Sequence, residues 1–153
     1  MATVEDLVVE REIEAVRSNA QQHGWAFERV GPRCFRVTLR ARNDDMYQLE
    51  VECSGFPVQP AAFHWRNQET GQLDALADAP EPYDEGERFF FPTGQICAPW
   101  NRLASTEGGP HPEWVQSNWR QQAETKATVT LAAMVSRLHH ELRSQRYRGR
   151  RKC

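Results

Sequence analysis

Val9, Ile13, Val16 and Ala20 recur at helical steps, with Glu10, Glu12, Glu14 and Arg17 on other faces. This spacing puts the apolar side chains on one stripe of an α-helix. It predicts an amphipathic helix from residue 4 to about residue 23, stopped by Gly24. The period then changes to two. Phe35, Val37 and Leu39 face one way and Arg36, Thr38 and Arg40 the other. After the turn residues Asn43-Asp44-Asp45, the residues Tyr47, Leu49, Val51 and Cys53 alternate with Gln48, Glu50 and Glu52. Two half-buried strands joined by a polar turn form an antiparallel hairpin. Its outer face sets arginines across from glutamates.

Phe56-Pro57-Val58-Gln59-Pro60 interrupts the pattern before Ala61, Phe63 and Trp65 resume a strand. Residues 66–88 are acidic and rich in turn formers, which predicts a long loop with one helical turn near Leu73–Ala77. A strand is predicted out of Phe89-Phe90-Phe91, broken by Pro92 to Gly94. Gly108-Gly109-Pro110-His111-Pro112 forms a second rigid loop. From Glu113 onward the pattern is helical, and Leu131, Met134, Val135, Leu138 and Leu142 make an apolar stripe. The predicted order is one helix, an antiparallel meander of about four strands, a cysteine-bearing loop and C-terminal helices. Strands and helices segregate along the chain, so the fold class is α+β. Residues 1–145 form one domain, and the basic tail 146–153 is expected to fray.

Length and charge narrow the function without naming it. A chain of 153 residues is large enough to bury a sizeable core. A net charge of -2 gives no reason to expect nucleic-acid or membrane binding. No apolar run approaches the roughly 20 residues that span a bilayer. The N-terminus lacks the basic-then-apolar pattern of a signal peptide, so the expected location is the cytoplasm. The cysteines Cys34, Cys53, Cys97 and Cys153 have no CxxC spacing, so reduced thiols are expected rather than a zinc or redox site. His139 and His140 are adjacent and diverge by about 100° on a helix, which suits a solvated face better than a shared metal. No metal or cofactor is predicted. The 17 arginines outnumber the two lysines, Lys126 and Lys152. Genome base composition produces such a ratio; the functional alternative is that amines are kept away from an acyl intermediate.

The chemistry concentrates at Cys97, in Phe91-Pro92-Thr93-Gly94-Gln95-Ile96-Cys97-Ala98-Pro99-Trp100. Breakers on both sides and an apolar anchor at Ile96 predict a thiol held at a surface loop, although most unpaired cysteines are buried; its alternative is a half-buried packing thiol. Trp100 reads as a lid or an apolar anchor. Asn101, four residues on, offers a side-chain amide, and its alternative is a loop residue bonding its own backbone. His111 offers an imidazole that can act as a base or as a hydrogen-bond donor.

Tyr47-x-Leu49-x-Val51 followed by Phe56-Pro57-x-x-Pro60-Ala61-x-Phe63 resembles the ubiquitin-conjugating enzyme (UBC) family, whose strand runs into a Tyr-Pro-x-x-Pro-Pro segment. Gly94-Gln95-Ile96-Cys97 is similar to that family's Gly-x-Ile-Cys, in which the cysteine accepts the modifier as a thioester. Trp114 and Trp119 look like the Trp-containing start of the following helix. The resemblance covers residues 5–145. It implies a UBC-like fold and a catalytic Cys97 charged by an activating enzyme with a ubiquitin-like protein for transfer to a protein target. The family's His-Pro-Asn asparagine precedes the cysteine by eight residues, where this chain has Phe89 within Glu87-Arg88-Phe89. The segment between Trp65 and Cys97 is also longer than the family's. Both departures look like the bacterial branch encoded with a ubiquitin-like protein, an activating enzyme and a JAB-type peptidase, in part in antiphage defence operons. That branch tends to place a histidine after the cysteine, a position that His111 matches. With the usual asparagine absent, Asn101 and His111 are the candidate substitutes. Two other readings stay open: a catalytically silent UBC-like binding module, and a cysteine hydrolase using Cys97 and His111. A hydrolase would need a third orienting group.

Overall fold

The computed structural model describes residues 1–84, 89–106 and 108–152. Helix α1 (Val4–His23) begins with a capping box, in which Thr3 Oγ1 accepts from Asp6 N at 3.1 Å and Asp6 Oδ2 accepts from Thr3 N at 2.9 Å. Gly24 closes it in the left-handed conformation, φ 73°. Asp6 also pairs with Arg33, tying the first turn to the entry of the second strand. The Thr3 main-chain bond, assisted by Arg33, holds the Asp6 carboxyl down to about 2.

Four strands follow as an antiparallel meander in the order β1 (Ala26–Gly31), β2 (Cys34–Arg40), β3 (Met46–Glu52) and β4 (Ala62–Arg66). The hairpin read from alternation is β2–β3, with Val37 opposite Leu49 and Arg36 opposite Glu50. Arg36 Nε lies 2.9 Å from Glu50, and its Nη1 reaches Glu28 on β1 at 2.8 Å. Charge pairing therefore runs across three strands of the outer face. The inner face contributes Phe35, Val37, Leu39, Tyr47, Leu49, Val51, Phe63 and Trp65 to the core. Val9, Ile13, Val16 and Ala20 of α1 meet them together with Leu131, Met134, Val135, Leu138 and Leu142 of α2 (Leu131–Arg143). Each large aliphatic buried this way contributes about 1.5–3 kcal/mol relative to exposure. Glu12 of α1 accepts from Leu131 N at 2.8 Å, so one helix caps the other.

Three expectations are corrected. Residues 113–130 are not α-helical: they form 3₁₀ turns at Gln116–Gln121 and Ala123–Thr125, so a single α-helix follows the cysteine loop among the described residues. Thr125 Oγ1 donates to Trp119 O at 2.6 Å, and Lys126 and Ala127 have φ of 50° and 63°, conformations that stop a helix. Phe89-Phe90-Phe91 contributes one bridge, Phe90 to Ile96, rather than a strand. The tail does not fray through Lys152. Tyr147 bonds Tyr47 through their hydroxyls at 2.7 Å, Pro80 bridges Arg150, and Arg151 N donates to Ala79 O at 2.8 Å. The predicted turn near Leu73–Ala77 is a 3₁₀ turn at Leu76–Asp78. No helix is long and apolar enough to cross a membrane among the described residues.

Candidate functional site

Cys97 sits just past a small hairpin whose geometry the sequence dictates. Pro92 presets the turn Phe91-Pro92-Thr93-Gly94, which closes with Gly94 N donating to Phe91 O at 2.9 Å. Gly94 has φ 98°, and a Cβ there would meet Leu76 at 3.3 Å. Glycine fits both constraints. Phe91 N donates to Gln95 O at 3.1 Å and Cys97 N to Phe89 O at 2.8 Å, which zips the two arms. Ala98 N then donates to Ile96 O at 3.1 Å, so Cys97 is the central residue of a three-residue γ-turn.

The neighbours of Cys97 are anchored and Cys97 itself is half-buried. Ile96 is 0% exposed, Ala98 4% and Trp100 1%. Trp100 packs edge-on against Phe63 with ring centroids 5.1 Å apart, so it is an apolar anchor and not a lid. Cys34 is also half-buried and Cys53 is buried. Burial, with Glu50 and Glu52 nearby, pushes the Cys34 thiol up to about 11. Burial pushes Cys53 up to about 12, with Glu52 adding to the shift. Both are poor thiolates, since only the ionised sulfur is nucleophilic. Cys153, Glu87 and Arg88 lie outside the described residues.

Asn101 is a staple. It is 0% exposed, and its Oδ1 accepts from Phe63 N on β4 at 3.0 Å and from Leu103 N at 3.3 Å. Its Nδ2 donates to Ile96 O at 3.0 Å, one residue before the thiol. Binding its own backbone at Leu103 is the local habit of the residue type. The bonds to Phe63 and Ile96 add something the sequence does not reveal: one buried amide fastens the cysteine loop to the edge of the sheet. An amide so enclosed cannot meet an acyl group arriving from solvent, so the expectation that Asn101 replaces the missing asparagine as a donor is corrected to a positioning role.

The next links run downstream. Arg102 N donates to Ala61 O at 2.9 Å, and its guanidinium reaches Glu52 at 2.7 Å. The 3₁₀ turn Arg102–Ser105 is then met by Gly109, where a Cβ would stand 2.3 Å from Leu103 O. Only glycine permits that approach. His111 N donates to Ala104 O at 2.8 Å, so the His111 loop is bonded to the turn that follows the cysteine. The imidazole stacks on Trp114 at 4.0 Å and 14°, and Nδ1 lies 3.0 Å from Glu113 Oε1. The His111 bond lowers the Glu113 carboxyl. With Nδ1–H donated to that carboxylate, Nε2 is left as the basic nitrogen. Glu113 escaped sequence reasoning, although His-x-Glu spacing was its available signal. Trp119 is buried, donates Nε1–H to Pro57 O at 3.0 Å and covers Phe56. The Phe-Pro segment and the region after the cysteine are therefore one packed unit.

Arg151 completes the support from the tail. Its Nη2 donates to Phe91 O at 3.2 Å and Pro92 O at 2.7 Å, gripping the hairpin turn. Trp65 Nε1 holds the other corner at Gly94 O, 3.0 Å. No cluster of three metal-ligating side chains occurs among the described residues. Comparison with known proteins finds no matching family model, no matching curated protein and no matching solved structure.

Proposed function

We propose that this protein is a ubiquitin-like conjugating enzyme of UBC-like fold, acting in the cytoplasm, with Cys97 as the acyl carrier. The observation that carries the reading is the half-buried Cys97 in a γ-turn between buried anchors, fastened by Asn101 and Arg151. The order helix, four-strand meander, cysteine loop, 3₁₀ turn and helix supports it. In charging, the Cys97 thiol loses its proton and its sulfur attacks the thioester carbonyl of a ubiquitin-like protein carried by an activating enzyme. The tetrahedral oxyanion collapses, the enzyme's thiolate leaves, and a new thioester joins the modifier to Cys97. A free cysteine titrates near about 8.5, so modest activation suffices. In discharge, an amine of a protein target attacks that carbonyl and the Cys97 thiolate departs. His111, oriented by Glu113, takes the amine proton. A JAB-type peptidase would act later in the same pathway by cleaving the product.

The test is a charging reaction with ATP, a bacterial ubiquitin-like protein and an activating enzyme that charges it, resolved on a non-reducing gel. A band that thiol reductant removes, and that Cys97→Ala abolishes, is the expected result. A silent UBC-like module would give no band. The His111–Glu113 pair also supplies the orienting group that a cysteine hydrolase needs. That reading predicts release of the modifier's free C-terminus without a target amine, and the same gel distinguishes it.

A further inference from the structure

The close of α1, the end of β2 and the last turns of α2 border a partly open cavity of about 290 Å³. His23, Trp25, Thr38, Arg40, His139 and Arg143 line it, and none of its lining residues is acidic. Three elements with separate sequence origins bring two guanidinium groups and two imidazoles to one hollow. Such convergence is unfavourable without a counter-charge, because like charges in a partly desolvated site repel. Carboxylates elsewhere do little to relieve it. Arg40 meets Asp44 at 3.7 Å, in a pair whose side chains are 61% and 77% exposed, so solvent screens it. Arg143 Nη1 touches Ala41 O at 3.3 Å, which leaves most of its donors uncommitted among the described residues.

One wall is flat and aromatic. His23 stacks on Trp25 at 4.9 Å and 19°, and His139 meets the indole edge at 5.2 Å. Thr38 adds a hydroxyl on the sheet side. Arginine forks match phosphate oxygens, and protonated imidazoles and a hydroxyl complete that kind of cradle. We propose that this cavity binds a small phosphate monoester, with the phosphate between Arg40, Arg143 and the two histidines and the attached group against the His23–Trp25 wall. The site shares no residue with the Cys97 loop and does not depend on the proposed activity.

The electrostatics agree in direction. His139 is pushed below the ordinary histidine range, first by burial and then by Arg143, His23 and His140. The groups facing it are His23 from α1, Arg40 from β2, and His140 and Arg143 from α2, with Asp44 the carboxylate paired to Arg40. A bound dianion opposes every one of the cationic contributions. Binding therefore raises the His139 titration, and affinity for the dianion grows as pH falls through the histidine range.

The experiment is an NMR titration of the histidine ring protons in the full chain, first with inorganic phosphate and then with adenosine monophosphate. Saturable shifts of His23 and His139 with both ligands are expected, tighter for the nucleotide, while His64 and His111 stay in place. Arg40→Gln and Arg143→Gln should each weaken binding at least about tenfold. Wild-type protein showing no saturable shift with either ligand would overturn the proposal. So would variants that retain their amide spectrum and bind with unchanged affinity. Equal affinity for phosphate and nucleotide would remove the aromatic wall from the site and keep the phosphate cradle.

Discussion

The β2–β3 hairpin and the Cys97 hairpin are held together in opposite ways. In β2–β3, seven residues face seven in unbroken register, and alternate side chains enter the core. The Cys97 hairpin has a single bridge, Phe90 to Ile96. It is kept in place by side chains reaching into its main chain: Asn101 to Ile96 O, Trp65 to Gly94 O, and Arg151 to Phe91 O and Pro92 O. A ladder spreads its stability over many replaceable bonds. A stapled loop concentrates it in a few residues, and in exchange it can hold one half-buried side chain at a chosen point.

Substitutions at those staples test the contrast. The largest effect is expected at Asn101→Ala, which strips partners from buried Phe63 N–H and Ile96 C=O. Each unsatisfied buried group costs about 1–3 kcal/mol, so about 2–6 kcal/mol should be lost in urea denaturation, with faster alkylation of Cys97 by iodoacetamide. Ile13→Ala should destabilise by a similar amount, about 2–5 kcal/mol, through a core cavity. Its alkylation rate in native buffer should stay at the wild-type value. If the two variants changed alkylation equally, the distinction between ladder and staple would fail.

Arg151→Ala is the next smaller step. Loss of its grip on the turn should cost about 1 kcal/mol and speed amide exchange at Cys97 and Phe91 more than within β2–β3. Equal acceleration everywhere would assign Arg151 to global stability instead. The smallest effect concerns Asp6. Its carboxyl is held at about 2 in the fold against 3.8 for the unperturbed group. A depressed acid stabilises above its unfolded value, so that contribution is present above about pH 4 and is lost as pH falls through about 2. Acid denaturation curves of wild type and Asp6→Asn should therefore differ at neutral pH and converge toward pH 2. Curves that stay parallel to the lowest pH would remove the capping box and Arg33 as the cause.

The same contrast explains what was legible beforehand. Periodicity revealed α1, β2, β3, β4 and the stripe of α2, because each buries residues at a regular step. Strand β1 was not singled out, since Ala26, Glu28 and Val30 are exposed and Phe27 is its one large apolar side chain packed against the core. The helical pattern read from Glu113 onward holds only from Leu131, where the apolar stripe begins. Between Glu113 and Thr130, Trp119 and Thr125 are the buried residues, and no stripe exists for a helix to bury. The tail looked frayed because its composition is basic. Its arginines instead meet main-chain carbonyls and the Tyr47 ring, partners that carry no sequence signature. At the candidate site, Cys97 and its anchors were readable from Gly-Gln-Ile-Cys and its flanking prolines. The role of Asn101 was not, because a buried amide and an exposed one are spelled the same way.

The central claim, that Cys97 accepts an acyl group, is tested most directly by intact mass. The protein is incubated with ATP, a bacterial ubiquitin-like protein and an activating enzyme that charges it, then weighed without reductant. The account predicts a species heavier by the modifier less one water, absent in Cys97→Ala and retained by Cys34→Ser and Cys53→Ser. An unmodified mass under conditions where the activating enzyme is itself charged, or an adduct that persists in Cys97→Ala, would contradict it.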